Sequence, residues 1–347
     1  MLPLEAVMRK AFWSAAAIAL AGWLVHAQGA RTTLDIYFID VEGGQATLIV
    51  SPSGASMLVD AGWAGVNGRD ADRIAAAAKQ AGLSRIDNLV VTHYHADHVG
   101  GVPALAAKLP IGTFIDHGPT VEDGAQPAAL YRAYLDTRAT GRHLLAKPGD
   151  AIPVAGLDVR VVSADGVLTS KALPGAGQAN PLCSGFSAKD VDPTENARSV
   201  GMVIAYGRFR MLDLGDLTWN KEHDLMCPNN LVGPIDLYLT SHHGLDQSGS
   251  PVLVDAIQPR VAVMNNGAKK GGVASAWQIV HDAPGLQDLW QLHYAVDGGP
   301  AHNASEAFIA NVDETTAYGI KVSADRDGSF TVTNARNGQT KRYGPRR

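Results

Sequence analysis

Residues 92–98, with the sequence Thr-His-Tyr-His-Ala-Asp-His, bring three imidazoles and one carboxylate together directly after an apolar stretch. Imidazole nitrogens and carboxylate oxygens are ligands that zinc, manganese and iron accept. A metal ion held in this way can acidify a water molecule to a nucleophile near neutral pH. The chain has 12 histidines in 347 residues, so a chance cluster in a polar loop is the weaker interpretation. We therefore interpret the run as a metal-binding motif.

The spacing within the run indicates how the ligands divide. Side chains alternate along an extended segment, so His93 and His95 are expected to point the same way and to bind one ion. Asp97 and His98 are adjacent, diverge from that pair and suit a second ion. The glycines at 100 and 101 allow the backbone to turn before a short helix predicted over residues 102–109. The pattern predicts a strand, a ligand-bearing turn and a helix around a two-metal site.

The motif His-x-His-x-Asp-His after an apolar strand resembles the metal motif of the metallo-beta-lactamase fold hydrolases. Upstream, residues 36–49 and 57–62 resemble the opening strands of that fold, and Asp60 begins an aspartate–glycine turn that supports the metal site in the family. Downstream, residues 211–216 and 238–244 resemble its later ligand motifs. The Gly-Gly-Gln-Ala-Thr and His-His-Gly signatures are most similar to the metallohydrolase domain of bacterial DNA-uptake (competence) channel proteins and their free-standing relatives. The resemblance covers residues 33–297.

When the ligand positions of the family are carried over to this sequence, the resemblance implies two divalent metal ions, with zinc favoured over manganese or iron. The implied ligands are His93 and His95 for the first ion, Asp97, His98 and His243 for the second, and Asp216 as the bridge between them. Asp97 and Asp216 would also hold the attacking hydroxide, which makes them the expected catalytic residues. His243 is favoured over His242 as the last ligand, because the family histidine usually precedes a small residue directly. His242 would then lie behind the ligands or contact the substrate.

The chain departs from the family pattern at the first ion. Many members supply a third histidine from a loop two strands before the bridging aspartate, and residues 194–199 contain none. Asn196, Glu195 or a water molecule are the candidates to replace it, with His117 as a further substitute. Asp60 is expected either to bind a metal ion or to support a ligand.

A glycine-rich segment, residues 264–272, follows a predicted strand at the edge where the site should open. Its backbone amides and the side chains of Asn265, Lys269 and Lys270 could hold an anionic leaving group or a phosphate. The alternative is a flexible turn. His293 and His302 are candidate pocket residues, although isolated histidines are more often packed or exposed without a function.

The N-terminus has the pattern of an export signal. Arg9 and Lys10 precede an almost wholly apolar stretch, residues 11–25, and Ala27 ends a sequence that a signal peptidase reads. An uncleaved anchor is the alternative, although this stretch is short for a bilayer span of roughly 20 residues. We expect a periplasmic or secreted protein with no membrane-spanning segment after cleavage. In such a compartment Cys183 and Cys227 can pair as a disulfide, and two unpaired thiols are the alternative.

Strand-like runs alternate with helical ones, which predicts an α/β protein with sheets covered by helices. The family resemblance implies a four-layer αββα sandwich. Residues 318–334 alternate apolar and polar positions around an aspartate–glycine turn, which predicts a C-terminal β-hairpin extension. The predicted organisation is a signal peptide (1–27), a hydrolase domain (28–310), and a hairpin extension with a basic, solvated tail (311–347).

These features favour an exported metal-dependent hydrolase that uses a metal-bound hydroxide. Likeness to the DNA-uptake domain favours phosphodiester or other phosphate ester bonds. The net charge of −5 argues against a long nucleic acid as substrate, because proteins that bind one usually carry a basic excess. A small phosphodiester is therefore as plausible as DNA. Two alternatives stay open: a hydrolase of carboxylic ester, lactone or beta-lactam bonds, and a metal-binding protein without catalysis. The sequence does not give the oligomeric state.

Overall fold

The computed structural model describes residues 31–346, so the predicted signal peptide lies outside the described residues. The strands are β1 Leu34–Phe38, β2 Thr47–Val50, β3 Ser56–Val59, β4 Ile86–Val90, β5 Ile111–Asp116, β6 Arg142–Leu145, β7 Ala151–Ile152, β8 Asp158–Ala164, β9 Val167–Leu168, β10 Gly201–Tyr206, β11 Phe209–Asp213, β12 Leu237–Leu239, β13 Val261–Met264, β14 Asp288–His293, β15 Ile309–Asn311, β16 Ile320–Ala324, β17 Phe330–Asn334 and β18 Thr340–Tyr343. The α-helices are α1 Arg69–Gln80, α2 Ala96–Val99, α3 Val102–Ala106, α4 Ala125–Arg138, α5 Trp219–Met226, α6 Pro251–Ile257 and α7 Ala274–His281.

The strands form two large sheets. The order in the first sheet is β18-β17-β16-β1-β2-β3-β4-β5-β6, and the order in the second is β15-β14-β13-β12-β11-β10-β8-β7, with β9 paired to β8. Strands β3 to β6 run parallel to one another, and so do β11 to β15. The remaining pairs are antiparallel.

Three apolar clusters define the layers. The inner faces of the two sheets share one cluster, in which Ile36 and Val90 of the first sheet pack with Met202 and Val261 of the second. A second cluster joins the outer face of the first sheet to helices α1 to α4, and a third joins the outer face of the second sheet to α5, α6 and α7. Burial of these apolar surfaces against one another is the main force that holds the layers together. The fold is the predicted four-layer αββα sandwich.

The predicted C-terminal hairpin is formed by β16 and β17, which pair in register from Ile320 with Asn334 to Ala324 with Phe330. Strand β16 also pairs with β1, so the hairpin extends the first sheet. The tail differs from the solvated end expected from its basic composition, because residues 340–343 form β18 against β17. The reason is Tyr343, which is 1% exposed and donates its hydroxyl to Asp288 at 2.6 Å. The sequence Thr-Lys-Arg-Tyr at these positions has no alternation of apolar and polar residues from which the strand could have been predicted.

Cys183 and Cys227 form a disulfide, as predicted for an oxidising compartment. The bridge ties a short 3-10 helix, Pro181–Gly185, to the end of α5. Within residues 31–346, no helix is long and apolar enough to cross a lipid bilayer.

Helix α5 also carries a fully buried carboxyl group, Glu222. Its two oxygens accept hydrogen bonds from the backbone amides of Gly249 at 2.9 Å and Ser250 at 2.7 Å, at the start of α6. Burial raises the pKa of Glu222 to about 7, although the two amides oppose the shift. The folded protein therefore holds a proton on Glu222 at pH values where the unfolded chain has lost it.

We expect wild-type stability to fall, relative to a Glu222→Gln variant, as the pH rises from about 5 to 8. A group whose folded-state pKa lies above its unfolded value stabilises the fold below the unfolded pKa, and that contribution is lost as the pH rises through the folded pKa. The difference should be on the order of 3 kcal/mol, at about 1.4 kcal/mol per pKa unit. Urea unfolding at both pH values measures it, with the exposed Glu306→Gln as control. Parallel pH profiles for wild type and Glu222→Gln would contradict the assignment.

Candidate metal centre

The predicted site residues gather where parallel strands end. Asp60 follows β3, residues 92–98 follow β4, Asp216 follows β11, and residues 241–244 follow β12. The carboxyl ends of parallel strands meet at one edge of each sheet, where binding sites of α/β folds commonly lie. The backbone amide of Val200, just before β10, donates to the carbonyl oxygen of Thr92 at 2.8 Å and so joins the two edges. The site therefore lies at the junction of the two sheets.

Asp60 organises the turn after β4. It is fully buried, and one carboxylate oxygen accepts the backbone amide of Thr92 at 2.8 Å. The other oxygen accepts the Thr92 hydroxyl at 2.7 Å and lies 2.7 Å from Nδ1 of His98. Because a carboxylate accepts and does not donate, Nδ1 of His98 carries the proton. Its Nε2 is then free to bind a cation, and Asp60 acts by orienting His98.

The same reasoning shows which ring nitrogen carries the proton in the other two histidines of the motif. Thr92 Oγ1, whose proton goes to Asp60, lies 3.0 Å from Nδ1 of His93 and can accept its proton. Nε2 of His95 donates to Oε1 of Glu122 at 2.7 Å. The lone pairs of His93 Nε2 and His95 Nδ1 therefore face each other at 3.0 Å. Two such lone pairs repel unless a cation lies between them, so the pair fits a metal ion.

Glu122 was not predicted from the sequence. It lies in the loop between β5 and α4, and its side chain is 22% exposed. A carboxylate that accepts the second N–H of a ligand histidine fixes its tautomer and raises its basicity. The only sequence signal was an acidic residue shortly after a parallel strand, which is a common arrangement.

Six side chains fall into two overlapping groups. In one, ligand atoms of Asp97, His98, Asp216 and His243 lie within 4.8 Å of one another. In the other, those of His93, His95 and Asp216 do the same. His243 Nε2 is 3.2 Å from Asp97 Oδ2, 3.1 Å from His98 Nε2 and 3.5 Å from Asp216 Oδ1. Asp216 belongs to both groups, and its buried Oδ1 has no hydrogen-bond donor among residues 31–346.

The electrostatics of the cluster favour positive charge. Burial opposes ionisation of Asp216, but His98, His242 and His243 outweigh it and hold the pKa of that carboxyl well below its usual range. Burial likewise opposes ionisation of Asp97, and its neighbours His98, His243 and Lys270 still lower its pKa. The pKa of His98 is raised in turn, because Asp216, Asp97 and Asp60 overcome its desolvation. Two ionised carboxylates among imidazoles are the donor set that a divalent transition metal accepts.

His242 and His243 lie in a short 3-10 turn after β12, and both have a left-handed backbone, with φ of 52° and 56°. Such values are rare outside glycine and cost on the order of 1–3 kcal/mol each. The turn directs the two rings apart, at 6.0 Å between centroids. His242 Nε2 is 3.3 Å from Asp216 Oδ2, and its side chain is 10% exposed, whereas His243 is fully buried. His243 thus joins the Asp97 and His98 group, while His242 lies beside Asp216 nearer the surface.

The candidates for the missing third ligand have different surroundings. Glu195 already accepts hydrogen bonds from His117 Nε2 at 2.9 Å and the Tyr94 amide at 3.1 Å. It also accepts the Thr120 hydroxyl and the Val121 amide, each at 2.8 Å. These bonds occupy both carboxylate oxygens of Glu195 and the Nε2 atom of His117. Nδ1 of His117 and Oδ1 of Asn196 are buried, and neither has a hydrogen-bond partner in the described part of the chain.

The three candidate substrate-binding residues of the glycine-rich segment, residues 264–272, have different surroundings. Lys270 Nζ contacts Asp97 Oδ2 and donates to the Gly43 carbonyl oxygen at 2.8 Å. Lys269 Nζ pairs instead with Glu314, at 2.7 Å, with 71% of its side chain exposed. The Asn265 amide is buried, and neither of its polar atoms has a partner within residues 31–346.

His293 and His302 lie outside the two groups. His293 Nε2 is 2.8 Å from Asp40 Oδ1 and 3.7 Å from Glu42 Oε2. These three residues could also surround a cation. Arg73 already pairs with both carboxylates, at 2.9 Å and 3.1 Å, so this cluster is a self-contained ion-pair network. Nδ1 of His302 lies 3.1 Å from the Gly298 carbonyl oxygen and contacts none of the ligand candidates.

Comparison with known proteins agrees with this architecture. Residues 39–177 match the model of the metallo-beta-lactamase superfamily. Hydroxyacylglutathione hydrolase of Stenotrophomonas maltophilia (strain R551-3) is 36% identical over 110 residues, which are 29% of this chain and 37% of that protein. Competence protein ComA of Neisseria gonorrhoeae is 24% identical over 215 residues, which are 61% of this chain and 24% of that protein. The matches thus span well under half the length of either relative.

Among solved structures, the metallo-beta-lactamase fold protein YhfI from Bacillus subtilis aligns with a TM-score of 0.45 and 12% identity, over 75% of this chain and 96% of that one. The predicted His-x-His-x-Asp-His motif lies inside the region that matches the family model. It lies at a sheet junction covered by helices on both outer faces. Residues 39–177 of the chain are therefore similar to the metallo-beta-lactamase superfamily.

Proposed function

We propose that this chain is a hydrolase that binds two divalent metal ions through the two side-chain groups that share Asp216. The observation that carries this proposal is the convergence of ligand atoms within 4.8 Å of one another in each group. His93, His95 and Asp216 would hold the first ion. Asp97, His98, His243 and Asp216 would hold the second.

Bound ions would supply a water molecule acidified to near-neutral pKa and would polarise the bond to be cleaved. The residues of the chain have separate tasks around them. Asp97 and Asp216, whose pKa values are lowered, would keep their negative charge at any moderately acidic or neutral pH. Asp60 and Glu122 would orient the imidazoles of His98 and His95. The unpartnered amide oxygen of Asn196 makes that residue a better candidate than Glu195 to complete the first ion's ligands, with water and Nδ1 of His117 as alternatives.

Phosphodiester or other phosphate ester bonds are the proposed substrates. The similarity to a competence protein over 61% of the chain supports this class, and a net charge of −5 favours a small substrate over a long nucleic acid. A specific observation also favours a second candidate, a carboxylic ester or thioester bond. The relative that is 36% identical over 110 residues is a hydroxyacylglutathione hydrolase. Zinc suits the imidazole-rich donor set, and manganese or iron are alternatives.

We also infer that the protein is exported. The disulfide between Cys183 and Cys227 supports this inference, because disulfides persist in oxidising compartments such as the periplasm. The N-terminal signal pattern, residues 1–27, is the sequence feature that would direct export.

Metal analysis and a substrate panel test the hydrolase proposal together. The purified protein should contain about two equivalents of zinc, manganese or iron, because each of the two ligand groups would hold one ion. It should hydrolyse a chromogenic phosphodiester faster than a thioester, a lactone, a cephalosporin or single-stranded DNA. His95→Ala should weaken metal binding by about 100-fold or more and reduce hydrolysis, because it removes a nitrogen ligand, whereas loss of a residue that only orients a ligand costs about 10- to 100-fold.

His302→Ala is the matched control, because it removes a histidine that contacts none of the proposed ligands. It should retain both metal content and activity. If His95→Ala and wild type hydrolyse the substrates equally well, the site assignment is wrong. A wild-type protein that binds metal but cleaves none of these substrates would instead favour a metal-binding protein without catalysis.

A further inference from the structure

The segment that carries Lys270 is fixed to the candidate metal centre on two sides. On one side, the backbone amides of Gly272 and Val273 donate to the carbonyl oxygens of His243 and Gly244, each at 3.0 Å. A Cβ atom at Gly271 would lie 2.1 Å from the His243 carbonyl oxygen, so only glycine fits there. On the other side, a Cβ atom at Gly43 would lie 2.9 Å from the Gly267 amide nitrogen and 3.0 Å from Lys270 Cβ. The base of Lys270 is therefore held in place by the turn that carries His243.

The ammonium group of Lys270 lies at the edge of the second proposed ion site. Two of its three N–H bonds are directed to the Asp97 carboxylate and the Gly43 carbonyl oxygen. The Trp63 ring lies 5.0 Å from Nζ and adds a cation–π contact. The side chain is 29% exposed, so the ammonium faces both Asp97 and solvent. A flexible four-carbon chain on a fixed base lets the charge move by a few ångströms while it stays at this edge.

Lys269 shows that this placement is specific to one of two adjacent lysines. Its ammonium pairs with Glu314 on the exposed side, away from the ligands. The carboxylate that Lys270 contacts, Asp97, is one that we assign to the second metal ion, which would take up its negative charge. A positive group next to that ion is then available to an anionic partner from solution.

We propose that Lys270 binds an anionic oxygen of the substrate beside the second ion, so that the enzyme selects substrates with a negative charge at or next to the scissile bond. This inference rests on the proposed hydrolase function and names its substrate class. A phosphodiester carries such a charge on its non-bridging oxygens, and a carboxylate next to the cleaved bond supplies the same chemistry. A neutral ester supplies none.

Two substrates with the same leaving group test the proposal: bis(4-nitrophenyl) phosphate, a monoanion, and 4-nitrophenyl acetate, which is neutral. Lys270→Ala in the metal-loaded protein should lower kcat/KM for the phosphodiester about 10- to 100-fold, mainly through KM, because a charged hydrogen bond is lost. The loss of kcat/KM with the neutral ester should be about tenfold smaller than the loss with the phosphodiester, because the neutral ester offers no charge to Lys270. Lys270→Arg should recover part of the loss and Lys270→Gln should not. A cephalosporin that carries a carboxylate is the third substrate. A loss of kcat/KM for this substrate in Lys270→Ala would show that Lys270 binds a carboxylate as well as a phosphoryl oxygen. Lys269→Ala is the control and should match wild type throughout.

Binding of inorganic phosphate to the metal-loaded protein, measured by titration calorimetry, separates this proposal from the proposed function. Lys270→Ala should bind phosphate about tenfold more weakly, and Lys269→Ala should bind it like wild type. If no ester is cleaved but this difference holds, the hydrolase proposal fails and the anion site stands. If wild type is active and Lys270→Ala loses the same factor on both substrates, or binds phosphate unchanged, Lys270 is not the anion site. An equal loss in Lys269→Ala would likewise overturn it.

Discussion

Asp216→Asn is expected to lower kcat/KM on the best substrate by about 1000-fold or more and to reduce bound metal below one equivalent. Asp216 is the one side chain that belongs to both candidate ligand groups. Its carboxylate can give one oxygen to each ion, whereas asparagine offers one oxygen and an NH2 group that cannot bind a cation. The same change removes the negative charge that His98, His242 and His243 stabilise by lowering the pKa of Asp216. Metal content by mass spectrometry and steady-state kinetics measure both effects.

Asp213→Asn is the matched control for this substitution. Asp213 is 1% exposed and ends the same strand, β11, but it accepts hydrogen bonds from Gln45 and the Gly215 amide and belongs to neither ligand group. Burial raises its pKa to about 6, so loss of the negative charge costs less at Asp213 than at Asp216, whose pKa is lowered. We expect this variant to keep its metal. If both variants lose metal equally, the loss reports disruption of the sheet edge, and Asp216 is not a bridging ligand.

The sequence predicted the parts of the site in which spacing alone determines direction. His93 and His95 are two residues apart after a strand, so they were expected to converge, and their nitrogens lie 3.0 Å apart. Asp216 and His243 could be placed only through the family resemblance, because they lie more than a hundred residues away from the first motif. The four layers followed from the alternation of helices and strands together with the same resemblance.

The directions of side chains in irregular turns could not be predicted from the sequence. Nothing in a run of two lysines tells that Lys270 faces Asp97 while Lys269 faces Glu314, because this depends on the glycine packing of the segment between two turns. The role of Glu122 likewise depends on how the loop after β5 folds back onto His95. Short contacts between distant segments, rather than local periodicity, determine these positions.

Asp60→Asn should weaken binding of the second metal ion about 10- to 100-fold. In the wild type, one oxygen of Asp60 accepts both the Thr92 hydroxyl and Nδ1–H of His98, each at 2.7 Å, and the other accepts the Thr92 amide at 2.8 Å. An NH2 group in place of the first oxygen can only donate. His98 must then move its proton to Nε2, the atom that lies 3.3 Å from both Asp97 Oδ2 and Asp216 Oδ2. A protonated Nε2 cannot bind a cation. The second ion therefore loses His98 as a ligand, although the residue itself is unchanged.

Asp116→Asn separates this effect from a general loss of stability. Asp116 also ends a parallel strand, β5, is fully buried, and lies 3.0 Å from a histidine nitrogen, in His143, but it contacts none of the proposed ligands. Both substitutions should lower the free energy of unfolding by about 1–3 kcal/mol, because each leaves a buried donor without its acceptor. Only Asp60→Asn should also release metal in competition with a chelator. Equal metal affinity in the two variants would contradict this prediction. It would show that Asp60 does not control the ability of His98 to bind the second ion.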